Sequence, residues 1–139
     1  MSEADKGSGF SLVEVLLAIA LLAILVTTFV GALVYGQQAV ALAGTRARAV
    51  LLLDEGVEAV RNIRNANFAN LTAGTKGLAI TNNRWVFSGS SDTTDIFTRQ
   101  VVVSSIDPNR RRVTVTVQWQ QTPQRVGVVQ ALTYFTNWR

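Results

Sequence analysis

The sequence contains no cysteine and no histidine. Without cysteine there is no disulfide and no thiolate chemistry. Without either residue the commonest general base, the soft metal ligands and the thiol nucleophile are all missing. An enzyme is left without its usual parts, and the expectation is a protein with no catalytic residue, no metal and no cofactor. Charge is sparse as well. Lys and Arg number 13 against 9 Asp and Glu, a formal balance of +4. That mild excess does not by itself imply nucleic acid. Proline occurs only at Pro108 and Pro123, both in stretches that read as turns. At 139 residues the chain is long enough for one modest domain.

The residues present are unevenly spread. The stretch "GSGFSLVEVLLAIALLAIL" begins at Gly7, and from Val15 to Tyr35 no residue is charged. Those 21 residues span about 31 Å as a helix at roughly 1.5 Å per residue, which matches a hydrocarbon core about 30 Å thick. A buried core helix is the alternative, but a domain this small can hardly enclose a helix that is apolar on every side. A secretory signal would have a shorter apolar region ending at a small-residue cleavage site. Here the run leads into another helical pattern. Glu14, near the start of the run, then needs an explanation, because a carboxylate in an apolar segment costs free energy unless it is paired.

From about Gln37 to Arg64 the pattern is amphipathic. Val50, Leu53, Val57 and Val60 recur at spacings of three and four and share a face. Arg46, Arg48, Asp54, Glu55, Glu58, Arg61 and Arg64 supply polar surface, and Glu58 stands where it can pair with Arg61. One long helix from about Ser11 to about Asn65 is expected, its first half in lipid and its second in water. Gly31, Gly36, Gly44 and Gly56 are weak spots in it, each costing up to about 1 kcal/mol against Ala.

"NANFANLTAGTKG" ends the helix with turn-forming residues. Beyond Gly74 the composition shifts to Val, Thr, Ser, Asn and Gln. Strands are expected at Leu78–Ile80, Arg84–Ser88, Phe97–Ile106, Val113–Gln120 and Val126–Phe135. A loop is expected at Ser88–Asp95, and turns at Asp107–Asn109 and at Thr122-Pro123. Val113, Val115, Val117 and Trp119 alternate with polar residues and face one way. Short turns imply an antiparallel meander, and the amphipathic half of the helix must cover one sheet face. Trp85, Trp119, Trp138 and Phe135 are read as core or edge packing, and Trp138 with Arg139 as closing the sheet or facing a neighbour. The fold class is therefore α+β: one long N-terminal helix, membrane-spanning in its first half, packed by its C-terminal half on a small antiparallel sheet.

Gly9, Phe10, Ser11, Leu12, Val13, Glu14 and Val15, followed by the apolar run, resemble the N-terminus of type IV pilins and of the pseudopilins of type II secretion. The resemblance implies cleavage between Gly9 and Phe10 by a prepilin peptidase on the cytoplasmic side of the membrane, and N-methylation of Phe10. It implies a role for Glu14 in assembly, where its carboxylate neutralises the terminal amine of a neighbouring subunit. It divides the chain into a leader at 1–9, a transmembrane and filament-core segment at 10–35, and an exported domain at 36–139. The implied partners are the peptidase, an inner-membrane assembly platform, an assembly ATPase acting indirectly and other pilin subunits. The implied location is the cytoplasmic membrane, single-pass, and then a periplasmic or extracellular filament. The small sheet domain and the missing disulfide suggest a minor pilin or a pseudopilin. This chain departs from the pattern in two places: its leader sets Lys6 beside Glu3 and Asp5, and Gly31 stands about where many members have a helix-breaking proline.

Three weaker signals remain. Asp92, Asp95 and Asp107 suggest the loop calcium of some pseudopilins, but Asp in Ser/Thr-rich loops is more often a turn-former. Asn70-Leu71-Thr72 fits the glycan acceptor pattern. Arg110, Arg111 and Arg112 lie at a hairpin tip, with Arg110 and Arg112 on one side and Arg111 on the other. They read either as solvated charges that deter edge pairing or as a contact for an anionic partner, DNA or an acidic patch on the next subunit. Two rival functions follow: a membrane-anchored adhesin or sensor, and a DNA-capturing pilin of a competence system.

Overall fold

The computed structural model describes residues 9–137. The chain divides into two compact units, Met1–Ala41 and Leu42–Arg139. A single helix, α1 (Leu12–Ala66), runs from the first unit into the second. Ser11 starts it: its hydroxyl accepts from the Val13 N–H at 3.2 Å and its carbonyl from the Val15 N–H at 3.2 Å, satisfying donors that a helix start leaves open. Within the apolar run the Thr27 and Thr28 hydroxyls donate to the carbonyls of Ala23 and Ile24, at 2.7 and 3.0 Å, so these polar atoms are satisfied without water. The helix ends at Asn67, whose extended backbone and side-chain oxygen cap a short 3-10 turn at Phe68–Asn70.

In the second unit six strands follow: β1 (Gly74–Thr81), β2 (Arg84–Ser88), β3 (Asp92–Thr94), β4 (Phe97–Asp107), β5 (Arg110–Thr122) and β6 (Arg125–Thr136). All pairs are antiparallel, in the order β2-β1-β4-β5-β6, with β3 also on β4. The β4-β5-β6 half is the expected meander. The other half differs from expectation. β1 pairs with β4 through Gly74–Lys76 and with β2 through Gly77–Thr81. The stretch read as a loop contains β3, which lies on Phe97–Arg99 of β4. One edge of β4 thus serves two partners in succession. Gly77 is needed where they meet, because a Cβ there would stand 2.5 Å from the Ser91 backbone. The β1–β2 hairpin turns on Asn82 and Asn83, both with positive φ (50° and 58°), the two-residue turn whose twist suits a hairpin.

The core lies between the second half of α1 and one sheet face. From the sheet it takes Phe97, Val101 and Val103, then Val113, Val115, Val117 and Trp119, then Val129 and Phe135. The alternation read from β5 is the one observed. The helix stripe differs. Leu53 and Val60 are buried as expected, but Val57 is only partly buried and Val50 is 39% exposed. Ala49, Gly56, Ala59 and Ile63 complete the buried side instead. The cause is closeness. At Gly56 an added Cβ would stand 2.9 Å from Val115 Cγ1 and 3.0 Å from Arg99 Cδ. Helix and sheet touch through small residues, so the stripe is centred on them, and Gly56 is a point of closest packing where sequence alone suggested a defect.

Candidate functional site

The first unit is helix and little else. From Gly9 to Gly44 every residue is exposed, including Phe10 at 82% and the Leu, Ile, Val and Phe side chains up to Val34. No other part of the described residues covers this apolar surface, and the helix is long and apolar enough to cross a membrane. Phe10 and Glu14 line one shallow groove together with Val15, Ala18, Ile19 and Leu22. Among the described residues Glu14 has no ion-pair partner. The carboxylate is therefore held one turn from Phe10 on an apolar rod, with no counter-ion among the described residues. That arrangement is suited to a cation supplied from outside. Gly9 and Phe10 lie just ahead of the helix start, in backbone that is not tied into helical hydrogen bonds. The rest of the leader, 1–8, lies outside the described residues, as do Trp138 and Arg139.

In the second unit, the arginines of the β4–β5 hairpin part ways. Asp107 shapes the turn: its Oδ1 accepts from the Asn109 N–H at 2.9 Å, and its Oδ2 from Arg110 at 3.2 Å. Arg111 turns toward the core side. It donates to Leu71 O at 3.2 Å and Asp107 O at 2.6 Å, and lies 5.1 Å over the Phe68 ring. Arg110 and Arg112 are exposed. The three cations are thus not presented together: one is spent on structure and one is paired with its own turn.

The three aspartates are similarly committed. Asp95 pairs with Arg48, and Asp92 with Arg99. No group of three or more acidic residues among the described residues is placed to hold a metal ion. Asn70 ends the 3-10 turn, exposed. The expected Glu58–Arg61 pair forms. Trp119 and Phe135 are buried and Trp85 half-buried, with the Arg64 guanidinium 5.8 Å from the Phe135 ring.

The sequence reading missed Arg99. It sits at a core position of β4 and is only 5% exposed. Its Nε and Nη2 form a fork onto Asp92 Oδ2, at 3.1 and 2.8 Å. Its Nη1 donates to Leu52 O at 3.0 Å and Glu55 Oε1 at 3.1 Å. Asp92 in turn accepts from the Leu78 N–H at 2.9 Å. One guanidinium therefore ties α1, β1, β3 and β4 together, and a buried charge is tolerated because its donors are satisfied. The signal was present: Arg99 stands between Phe97 and Val101 in the alternating row of β4, on the side that faces inward.

Comparison with known families agrees with the first unit. The model described as "Prokaryotic N-terminal methylation motif" matches residues 5–30. Neither a curated protein nor a solved structure matches the chain. The motif is the hallmark of the type IV pilin and pseudopilin prepilins. The chain thus carries a prepilin-type N-terminus, at the head of a long helix whose second half packs on an antiparallel sheet, and in both respects it is similar to type IV pilin-like prepilins. Processing and assembly with other pilins and membrane machinery are what that motif implies in general.

Proposed function

We propose that the chain is a structural subunit, a minor pilin or pseudopilin, of a type IV pilus-like filament, and that it is not an enzyme. A prepilin peptidase cuts between Gly9 and Phe10, Phe10 is methylated, and the subunit waits in the cytoplasmic membrane until an assembly platform draws it into the filament. The observation that carries the reading is Glu14. It sits unpaired among the described residues, one turn from Phe10, inside the methylation motif on a helix segment whose described residues are all exposed. Cleavage creates an α-amine at Phe10. When the helix leaves lipid for a filament core, neither charge keeps bulk water, and an isolated ion there is far costlier than a paired one. A Glu14 carboxylate that meets the amine of the next subunit satisfies both charges and sets the axial register.

The test is intact mass on protein from its own cells. Loss of residues 1–9 with one added methyl group is expected. A mature chain that still begins at Met1 or Ser2 would overturn the reading.

A further inference from the structure

The acidic residues of the second unit are almost all used within it. Glu55 and Asp92 pair with Arg99, Glu58 with Arg61, Asp95 with Arg48 and Asp107 with Arg110. Asp54 is the exception: it is exposed on α1 and, among the described residues, has no ion pair. The same unit also holds an unbalanced positive site. A pocket of about 370 Å³ is lined by Arg46 of α1, Trp119 and Gln121 of β5, and Arg125 and Gly127 of β6. Gly127 helps form it, because a Cβ there would stand 2.3 Å from the Trp119 ring, so the indole occupies the space a side chain would fill. Arg46 and Arg125 are both exposed, and neither has a carboxylate partner among the described residues. Two arginines line one pocket whose lining holds no carboxylate, so the pocket carries an uncompensated positive charge. An incoming carboxylate offsets that charge and gains charge-assisted hydrogen bonds from the arginines.

We propose that this pocket receives Asp54 of a second copy of the chain. Arg46 and Asp54 lie about two turns apart on α1, roughly 12 Å along its axis, so one chain cannot close the contact on itself. Two different patches that meet between copies form a head-to-tail interface. Such an interface leaves a free patch at each end and propagates, as a pairwise two-fold contact does not. With α1 parallel in neighbouring copies, the same spacing offsets them by about 12 Å. The inference rests on the filament reading above and adds a second register contact, made in water by the exported domain.

The native absence of cysteine makes the test clean. Full-length Asp54→Cys/Arg125→Cys is assembled into filaments, which are sheared off and treated with a short bismaleimide. The expected result is a ladder of covalent multimers from the double variant and monomers from each single variant. In parallel, Asp54→Arg should lower filament yield by about tenfold or more, since like charges then face each other, and adding Arg46→Asp with Arg125→Asp should restore it. If the parent forms filaments but the double variant stays monomeric, or Asp54→Arg assembles as well as the parent, this contact is refuted and the filament reading stands. The contact is also refuted if no ladder forms while Arg46→Ala/Arg125→Ala loses affinity for phosphatidylglycerol vesicles, because the pocket then serves a lipid headgroup. If the parent enters no filament, both readings fall together; if it enters only as isolated copies, this contact alone is refuted.

Discussion

Gly56→Ala sets two effects of opposite sign against each other. In an exposed helix interior, replacing Gly by Ala is worth up to about 1 kcal/mol in favour of the helix. At Gly56 the new methyl would meet Val115 Cγ1 at 2.9 Å and Arg99 Cδ at 3.0 Å. Neither neighbour yields easily. Val115 is fully buried on a central strand and stiff at χ1, and Arg99 is held by its bonds to Asp92 and Leu52. Overpacking of this kind costs about 1–3 kcal/mol, so packing should win by about 1–2 kcal/mol. For a domain near 100 residues that lowers Tm by roughly 4–16 °C. Gly44→Ala is the control, because nothing lies within 4 Å of the added methyl; it should stabilise by up to about 1 kcal/mol. Thermal unfolding of a fragment covering residues 37–139, followed by circular dichroism, measures both. If Gly56→Ala melts at or above the parent temperature, the closest approach of helix and sheet is not where it has been placed.

Other outcomes follow from the same geometry. Arg99→Met should cost about 3–5 kcal/mol in urea unfolding of that fragment, because Asp92 is left as a largely buried carboxylate without its cation; adding Asp92→Asn should recover part of the loss, and a single-variant loss below about 1 kcal/mol would show that the Arg99 network is dispensable. Glu14→Ala should leave membrane insertion intact, since it removes a charge from an apolar segment, but should impair incorporation into filaments; equal yields of sheared filament from variant and parent would make the proposed pairing with the Phe10 amine unnecessary. Arg111→Ala should cost about 1–2 kcal/mol through lost bonds to Leu71 O and Asp107 O and lost stacking on Phe68, whereas Arg112→Ala should stay within about 0.5 kcal/mol. Equal effects at the two positions in chemical unfolding would contradict the inward turn of Arg111.

Much of this protein is legible in its sequence because the signals are local. Twenty-one uncharged residues are long enough to span a bilayer whatever the rest of the chain does, and Glu14 is anomalous within them on composition alone. The helix limits follow from Ser11 at one end and the Asn-rich stretch at the other. The buried row of β5 follows from strict alternation of Val with Thr and Gln, and the hairpin turns from Asp107-Pro108-Asn109 and Thr122-Pro123. What escaped local reading depends on which elements meet, and how closely. Periodicity places Val50 and Leu53 on one helix stripe, but the rotation of that stripe, a large part of the roughly 100° between successive residues, that buries Ala49 and exposes Val50 is decided by the contact at Gly56. Pairing of β1 with β4 joins segments distant in sequence, and β3 exists only because β4 offers it an edge. Arg99 is the clearest case. Its place in the alternating row points it inward, yet a lone arginine reads as surface until the fold brings Asp92, Glu55 and the Leu52 carbonyl to its donors. Burial of a charge is settled by partners from other parts of the chain, and only the tertiary structure supplies them.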